Sequence, residues 1–291
     1  MARLLCAAFA LALLAVGIAA SPFSVGTDPN RFIVTFGLVP DPFHYYNYFT
    51  MPRTVKEAMQ DHFSSVRTSN DSTSIWCRKN DYRVCVIFDA LGTVAGIQVS
   101  VAVKEIEAIP HAKNNLPEWT RQTFLGEDVF SATTYFVSKG LLENGGRTIS
   151  EKDHTAPNGI YILQTDSEGK ETSRLHVPIE ESGATGAGFT TQNCFYGMGK
   201  HYFQELSEKT VCESHRPYFM LYNPKSKNLQ GFGLGMYGKP SQGRGWFEAP
   251  SASVAKSIAP NSPECMTKWI DNYGLFTFHI YFVARPWFIF C

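Results

Sequence analysis

The sequence predicts a β-rich α+β protein: an antiparallel sheet, closed as a barrel or stacked as a sandwich, with one or two short helices. Two observations carry this prediction. Apolar residues recur with period two, or in short runs bounded by turn residues, and segments with helical spacing are few. A third, an even set of cysteines behind an apolar leader, adds that the sheet is cross-linked.

The clearest strand is Gly96 to Val103. Ile97, Val99, Val101 and Val103 alternate with Gln98, Ser100 and Ala102, so four β-branched side chains share one face. Val84 to Phe88 is a continuous apolar run of the kind covered on both faces. Asp89-Ala90-Leu91-Gly92 has turn chemistry and makes the two a hairpin. Tyr218 to Tyr222, the turn Asn223 to Asn228, and Leu229 to Met236 follow the same grammar. Val94-Ala95-Gly96-Ile97 and Leu229-Gln230-Gly231-Phe232 both read apolar-x-Gly-apolar. Either a hairpin unit is duplicated, with pseudo-halves 30–138 and 155–291, or two unrelated hairpins obey the same rules. Further strands are expected at Phe32–Leu38, Ala132–Val137, Ile160–Gln164 and Leu275–Val283, and Asp166 to Lys170 is a turn. Pro52, Val55, Met59, Phe63 and Val66 have the spacing of an amphipathic helix, and a second short helix is expected from Pro117 through Trp119 to Phe124. No linker stands out, so residues 21–291 read as one β-rich body.

Of the 291 residues, 26 Lys and Arg balance 26 Asp and Glu. Neutrality argues against a nucleic-acid surface and against a polybasic membrane anchor. The hydrophobic fraction of 44% supplies a sizeable core. Residues 1–20 read as a secretory signal peptide: Arg3, the apolar run Leu4 to Ile18, then small Ala19 and Ala20 before Ser21. The expected location is therefore extracellular. That run is short for a bilayer. The aromatic tail from Tyr273 to Cys291 is broken by Arg285 and Pro286, and reads as core strand rather than a lipid-anchor signal. No stable membrane span is expected.

Six cysteines follow the leader: Cys77, Cys85, Cys194, Cys212, Cys265 and Cys291. Their number and the export signal imply disulfides, and the absence of CxxC spacing argues against metal thiolates. Proximity along the chain suggests Cys77–Cys85, Cys194–Cys212 and Cys265–Cys291, among many other connectivities. Asn70-Asp71-Ser72 is an N-glycosylation sequon in a polar stretch.

No P-loop, GxGxxG, HExxH or GxSxG signature is present. The chemistry-bearing candidates are His201, His279 and Glu248. His201 follows Gly197 and Gly199 in a dense segment running from Cys194 to Phe203. His279 lies on a strand, sharing a face with Leu275, Thr277, Tyr281 and Val283. Glu248 sits among aromatics, where a carboxyl can serve as general acid or base. Each also reads as an ordinary residue: a hydrogen-bonded core histidine, or a solvated loop acid. His44 and His215 complete the set, and with Glu248 they are weighed as metal ligands, although no spacing enforces a site. The metal and any cofactor stay unknown. Tyr202, Trp246, Phe276, Phe278 and Tyr281 are the aromatics expected to line a ligand pocket.

From Tyr135 onward the chain resembles a scattered group of exported, mainly bacterial proteins without an assigned function. Three places carry the likeness: Cys194-x-x-Gly197-Met198-Gly199-x-His201-Tyr202; Arg216-Pro217 leading to Met220-Leu221-Tyr222-Asn223-Pro224; and Thr277-Phe278-His279-Ile280-Tyr281 with a terminal Cys291. The group usually has Leu where this chain has Phe278, and an Asn-Pro-rich segment where it has Ala284-Arg285-Pro286-Trp287. The resemblance implies that His201 and His279 belong to one shared feature and supplies no activity.

Three functions are consistent with these residues. One is a secreted, disulfide-stabilised binding protein with an aromatic-lined cavity for a small hydrophobic ligand. Another is a secreted oxidoreductase or hydrolase using His201 and His279, with or without a metal. The last is an extracellular structural or interaction protein.

Overall fold

The computed structural model describes residues 28–35, 48–69, 72–110 and 116–291. The expected signal segment, the Asn70 sequon and His44 lie outside the described residues. Two antiparallel sheets form the body. Sheet 1 has the order β11-β12-β13-β14-β15-β1-β2. Its strands are β1 (Ile33–Val34), β2 (Phe49–Thr50), β11 (Phe189–Phe195), β12 (Gly199–Gln204), β13 (Tyr218–Tyr222), β14 (Leu229–Tyr237) and β15 (Leu275–Tyr281). Sheet 2 has the order β10-β9-β8-β6-β5-β4-β3, with β7 also paired to β8. It comprises β3 (Phe63–Thr68), β4 (Ser74–Arg78), β5 (Val84–Phe88), β6 (Val94–Ala102), β7 (Thr120–Phe124), β8 (Glu127–Tyr135), β9 (Ile160–Thr165) and β10 (Glu171–Val177). Among the described residues there are five short α-helices, more than expected: α1 (Val55–Gln60), α2 (Val103–Ile106), α3 (Lys139–Glu143), α4 (Ala252–Ile258) and α5 (Cys265–Tyr273).

The sheets stack face to face. Period two turns Ile97, Val99 and Val101 of β6 and Phe232, Leu234 and Met236 of β14 into one shared core. Across it Tyr218 Oη and Thr134 Oγ1 are hydrogen-bonded at 2.9 Å, and the rings of Phe136 and Phe282 meet edge to face at 5.3 Å.

The two hairpins match in register. Ile87 faces Gly96 and then, across a bulge, Phe88 faces Val94; Leu221 faces Gly231 and Tyr222 faces Leu229 across the same irregularity. On the next strand Gly96 faces Tyr135 and Gly231 faces Tyr281. A Cβ on Gly96 would lie 2.4 Å from Thr134 O, and one on Gly231 would lie 2.2 Å from Ile280 O. Both glycines are thus required by close backbone approach.

Two helix expectations are corrected. The first helix stops at Gln60, because Thr54 and Glu57 form a capping box at its start and the chain turns into β3 after His62, which has φ 61°. Met59, placed by its spacing on the apolar face, is 64% exposed. Residues 117–124 form a turn and then β7, because pairing with β8 from Thr120↔Ser131 to Phe124↔Glu127 outweighs local spacing.

Of the disulfides, Cys77–Cys85 is as expected and joins directly paired residues of β4 and β5. The other two differ: Cys194 pairs with Cys291, and Cys212 with Cys265. Proximity along the chain fails here because strand pairing brings distant segments together. Cys194 lies near the end of edge strand β11, where the carboxyl-terminal segment passes: Gly197 N–H donates to Ile289 O at 2.9 Å. No helix among the described residues is long and apolar enough to cross a membrane.

Candidate functional site

The outer face of sheet 1 is not solvent-exposed. Helix α4 and the segment Phe247 to Pro250 cover it, leaving a cavity of about 340 Å³. Its floor comes from β12 to β15: His201 and Phe203, Phe219, Gly235, then Leu275, Thr277 and His279. Period two on β15 explains this choice, since only odd-numbered residues there reach the outer face.

Gly233 and Gly235 make the floor deep. Being alternate residues of β14, they leave one strand face bare. Phe219 fills the first gap: a Cβ on Gly233 would lie 2.2 Å from its Cζ. The second gap stays open, because the only atom within 3.4 Å of a Cβ on Gly235 would be Thr277 Cγ2, at 3.3 Å.

Glu248 is held by its own backbone. Its N–H and C=O exchange 2.9 Å bonds with those of Thr277. Thr277 Oγ1 donates to Glu248 Oε2 at 2.9 Å, and His279 Nδ1 stands 3.3 Å from Glu248 Oε1. The pair is largely buried, with side-chain exposures of 5% for His279 and 14% for Glu248. Thr35, a β-branched residue with φ 65°, lines the same cavity and donates its N–H to His279 O at 2.9 Å. Such a backbone is costly for threonine and is held here by its surroundings.

His201 and His279 open onto one cavity with the Phe219 ring between them, at centroid distances of 5.7 and 5.0 Å. Their roles differ. His201 Nδ1 lies 3.1 Å from Gly199 O, and the Asn193 backbone carbonyl is also near the ring. Burial, with a smaller contribution from nearby His279, pushes its pKa down to about 3. Burial likewise lowers His215 to about 4; its Nδ1 lies 3.2 Å from Tyr237 Oη. Both histidines are therefore neutral at physiological pH. Below about pH 6.5 the unfolded chain takes up protons that the folded chain refuses. Their contribution to stability is complete above that pH and is lost as pH falls toward the folded values. The urea midpoint is expected to drop between pH 7 and 4. The His201→Leu/His215→Leu variant should follow a flatter profile; an equally steep one would contradict this assignment.

Of the aromatics expected to line a ligand pocket, none lines this cavity, and Tyr202 alone borders a different, polar depression beside Glu181 and Lys200. Phe276 and Phe278 are even-numbered on β15 and face the inter-sheet core, opposite Thr277 and His279. Trp246 is fully buried there, its Nε1 donating to Asp81 Oδ2 at 2.7 Å. Tyr202 also faces that core, with its hydroxyl donating to Glu181 Oε1 at 2.8 Å. Tyr281 is on the outer face, stacked on His279 at 6.0 Å, but packs beside the cavity with Ile33, Leu221 and Val283. Phe203, Phe219 and Phe247 line it instead. The Gly231-Phe232-Gly233-Leu234-Gly235 alternation was the available signal, since glycine on every second strand position marks a face that another group approaches closely. Among the described residues, no group of three His, Cys, Asp or Glu is placed to hold a metal ion.

Fold and site together define a disulfide-linked two-sheet protein with an acid–imidazole pair facing an apolar cavity. Compared with known proteins, the chain matches no family model, no curated protein and no solved structure.

Proposed function

We propose that this protein works after export as a disulfide-stabilised binding protein holding a small, largely apolar molecule in the cavity over sheet 1. The observation that carries the reading is the cavity itself. Its volume of about 340 Å³ lies within the range of small-molecule sites. Phe203, Phe219, Phe247, Val254 and Ile258 supply apolar walls, and Thr277, Glu248 and His279 supply a polar cluster that orients one end of a ligand. Three disulfides support an oxidising compartment.

The test is to fill the open gap. Gly235→Val places a side chain on the cavity floor at a strand position that tolerates it. Wild-type protein should bind the fluorescent probe N-phenyl-1-naphthylamine. The variant should bind it at least tenfold more weakly, a loss of about 1.4 kcal/mol, with its melting temperature within a few degrees of wild type. Absence of probe binding by the wild type, or unchanged affinity in the variant, would sink the reading.

The 3.3 Å contact between His279 and Glu248 favours a second reading. An imidazole oriented by a carboxylate can take a proton from water or from a ligand hydroxyl. In that case His279→Gln abolishes hydrolysis of short 4-nitrophenyl esters while probe affinity stays within about twofold. Equal turnover in wild type and variant would exclude His279 as the base.

A further inference from the structure

The walls of the cavity over sheet 1 carry an uneven set of charges. Among the described residues that line it, Glu248 is the one carboxylate, and no lysine is present. Arg216 is the one guanidinium, and it is already committed: it donates to Glu118 Oε1, and through Nη1 to Glu205 Oε2 at 3.4 Å. Burial keeps His201 and His215 neutral, so neither imidazole supplies a positive charge. Tyr281, stacked on His279, and Tyr48 beside it have phenols held above their usual range, by burial first, with Glu248 contributing to both. They therefore add no second anion at this end.

Glu248 is also fixed in place. Its backbone is bridged to Thr277, and Thr277 Oγ1 holds Oε2 at 2.9 Å, so the carboxylate does not retreat into bulk water. A surface carboxylate is solvated on every side and selects little. One held in a largely apolar enclosure favours an opposite charge and disfavours a like one. Phe203, Phe219 and Phe247 line the same space, and aromatic rings attract a cation placed over their faces.

We propose that the molecule held in this cavity is an amine, with a protonated primary amino group at Glu248 and a short apolar body against the phenyl rings. This rests on the binding reading of the cavity and adds the sign of the ligand's charge. The ammonium N–H groups donate to the carboxylate. A hydroxyl on the same body makes a hydrogen bond without the charge and binds more weakly. A carboxylate, as on a fatty acid, sets two like charges in one enclosure that has no lysine and no uncommitted guanidinium to separate them. His279 is the neighbour that bears on this, since its ring stands 3.3 Å from Glu248 Oε1. A proton on that imidazole would cancel the carboxylate's charge and abolish the preference for amines.

Displacement of N-phenyl-1-naphthylamine from the intact protein, at about pH 8 where alkylamines keep their proton, tests the assignment. Three competitors of similar shape are compared: 2-phenylethylamine, 2-phenylethanol and phenylacetate. The amine should bind about tenfold or more tightly than the alcohol, and the carboxylate more weakly than either. Glu248→Gln keeps the shape and an acceptor for Thr277 but removes the charge, and should bring the amine-to-alcohol ratio to within about threefold. Glu248→Asp keeps the charge and should restore a preference for the amine. Gly235→Val should weaken amine and alcohol by the same factor. The wild-type ratio decides even where a variant fails to fold. If the fluorescent probe binds but the amine binds no tighter than the alcohol, or phenylacetate binds tightest, the amine assignment is overturned and the cavity reading stands. An unchanged ratio in Glu248→Gln overturns it equally. A wild type that binds neither the probe nor any competitor would end both.

Discussion

Arg216→Met is expected to cost about 3–5 kcal/mol of folding free energy, the effect of leaving a buried charge without its partner. Glu118 has a fully buried side chain, and Arg216 is 17% exposed. The Arg216 guanidinium donates to Glu118 Oε1, which also accepts from Gln204 Nε2 at 2.9 Å. Glu118 precedes β7 in sheet 2 and Arg216 precedes β13 in sheet 1, so the ion pair ties the two layers together. Without Arg216 the carboxylate keeps only the Gln204 amide. The Arg216→Met/Glu118→Leu double variant should recover most of the loss, because removing both charges also removes the desolvation cost. Glu205→Ala provides the contrast: that carboxylate also bonds Arg216, at 3.4 Å, but is 59% exposed and should change stability by under about 1 kcal/mol. Urea unfolding of the four proteins decides. A loss below about 1 kcal/mol for Arg216→Met would mean that Glu118 finds water or another partner.

Removing the Cys194–Cys291 bridge with alanine at both positions should cost about 4–5 kcal/mol, against about 2–3 kcal/mol for the Cys77–Cys85 bridge. The reason is loop length. The first bridge spans 97 residues of sequence and the second only 8, and the longer loop restricts the unfolded chain more. A packing effect adds to it. Ile289, two residues from Cys291, is 3% exposed and sits in a cluster with Met198, Phe219 and Ile258. Freeing the carboxyl terminus loosens the same residues that form the cavity wall, so probe affinity should fall together with stability. Equal stability losses for the two bridges would show that native-state packing, not loop closure, dominates.

Much of the fold was legible residue by residue. The strands at Val84–Phe88, around Gly96–Val103, at Ile160–Gln164 and around Leu275–Val283 stand where alternation or apolar runs put them, as do the hairpin turns after Phe88 and Tyr222. The first expected helix is real but ends early, at Gln60, and the second is absent; both expectations overreach for one reason. Met59 and Phe63, and likewise Trp119 and Phe124, have helical spacing, but the chain gains more by pairing β3 with β4 and β7 with β8. Spacing is a local quantity and cannot register a partner strand arriving from elsewhere.

The site was legible in part. His201, His279 and Glu248 stood out as polar residues in apolar company, and all three line the cavity. Phe276 and Phe278 were misplaced because aromatic richness was weighed without the alternation that separates them from His279. Period, turn chemistry and cysteine content are written into neighbouring residues, so the amino-acid order alone specified a cross-linked β protein and its suspicious imidazoles. Which sheet face is roofed by α4, which cysteines meet, and which glycines leave a space depend on segments brought together from up to hundreds of residues apart. Those choices are made by long-range packing, where burial of whole faces outweighs any local preference.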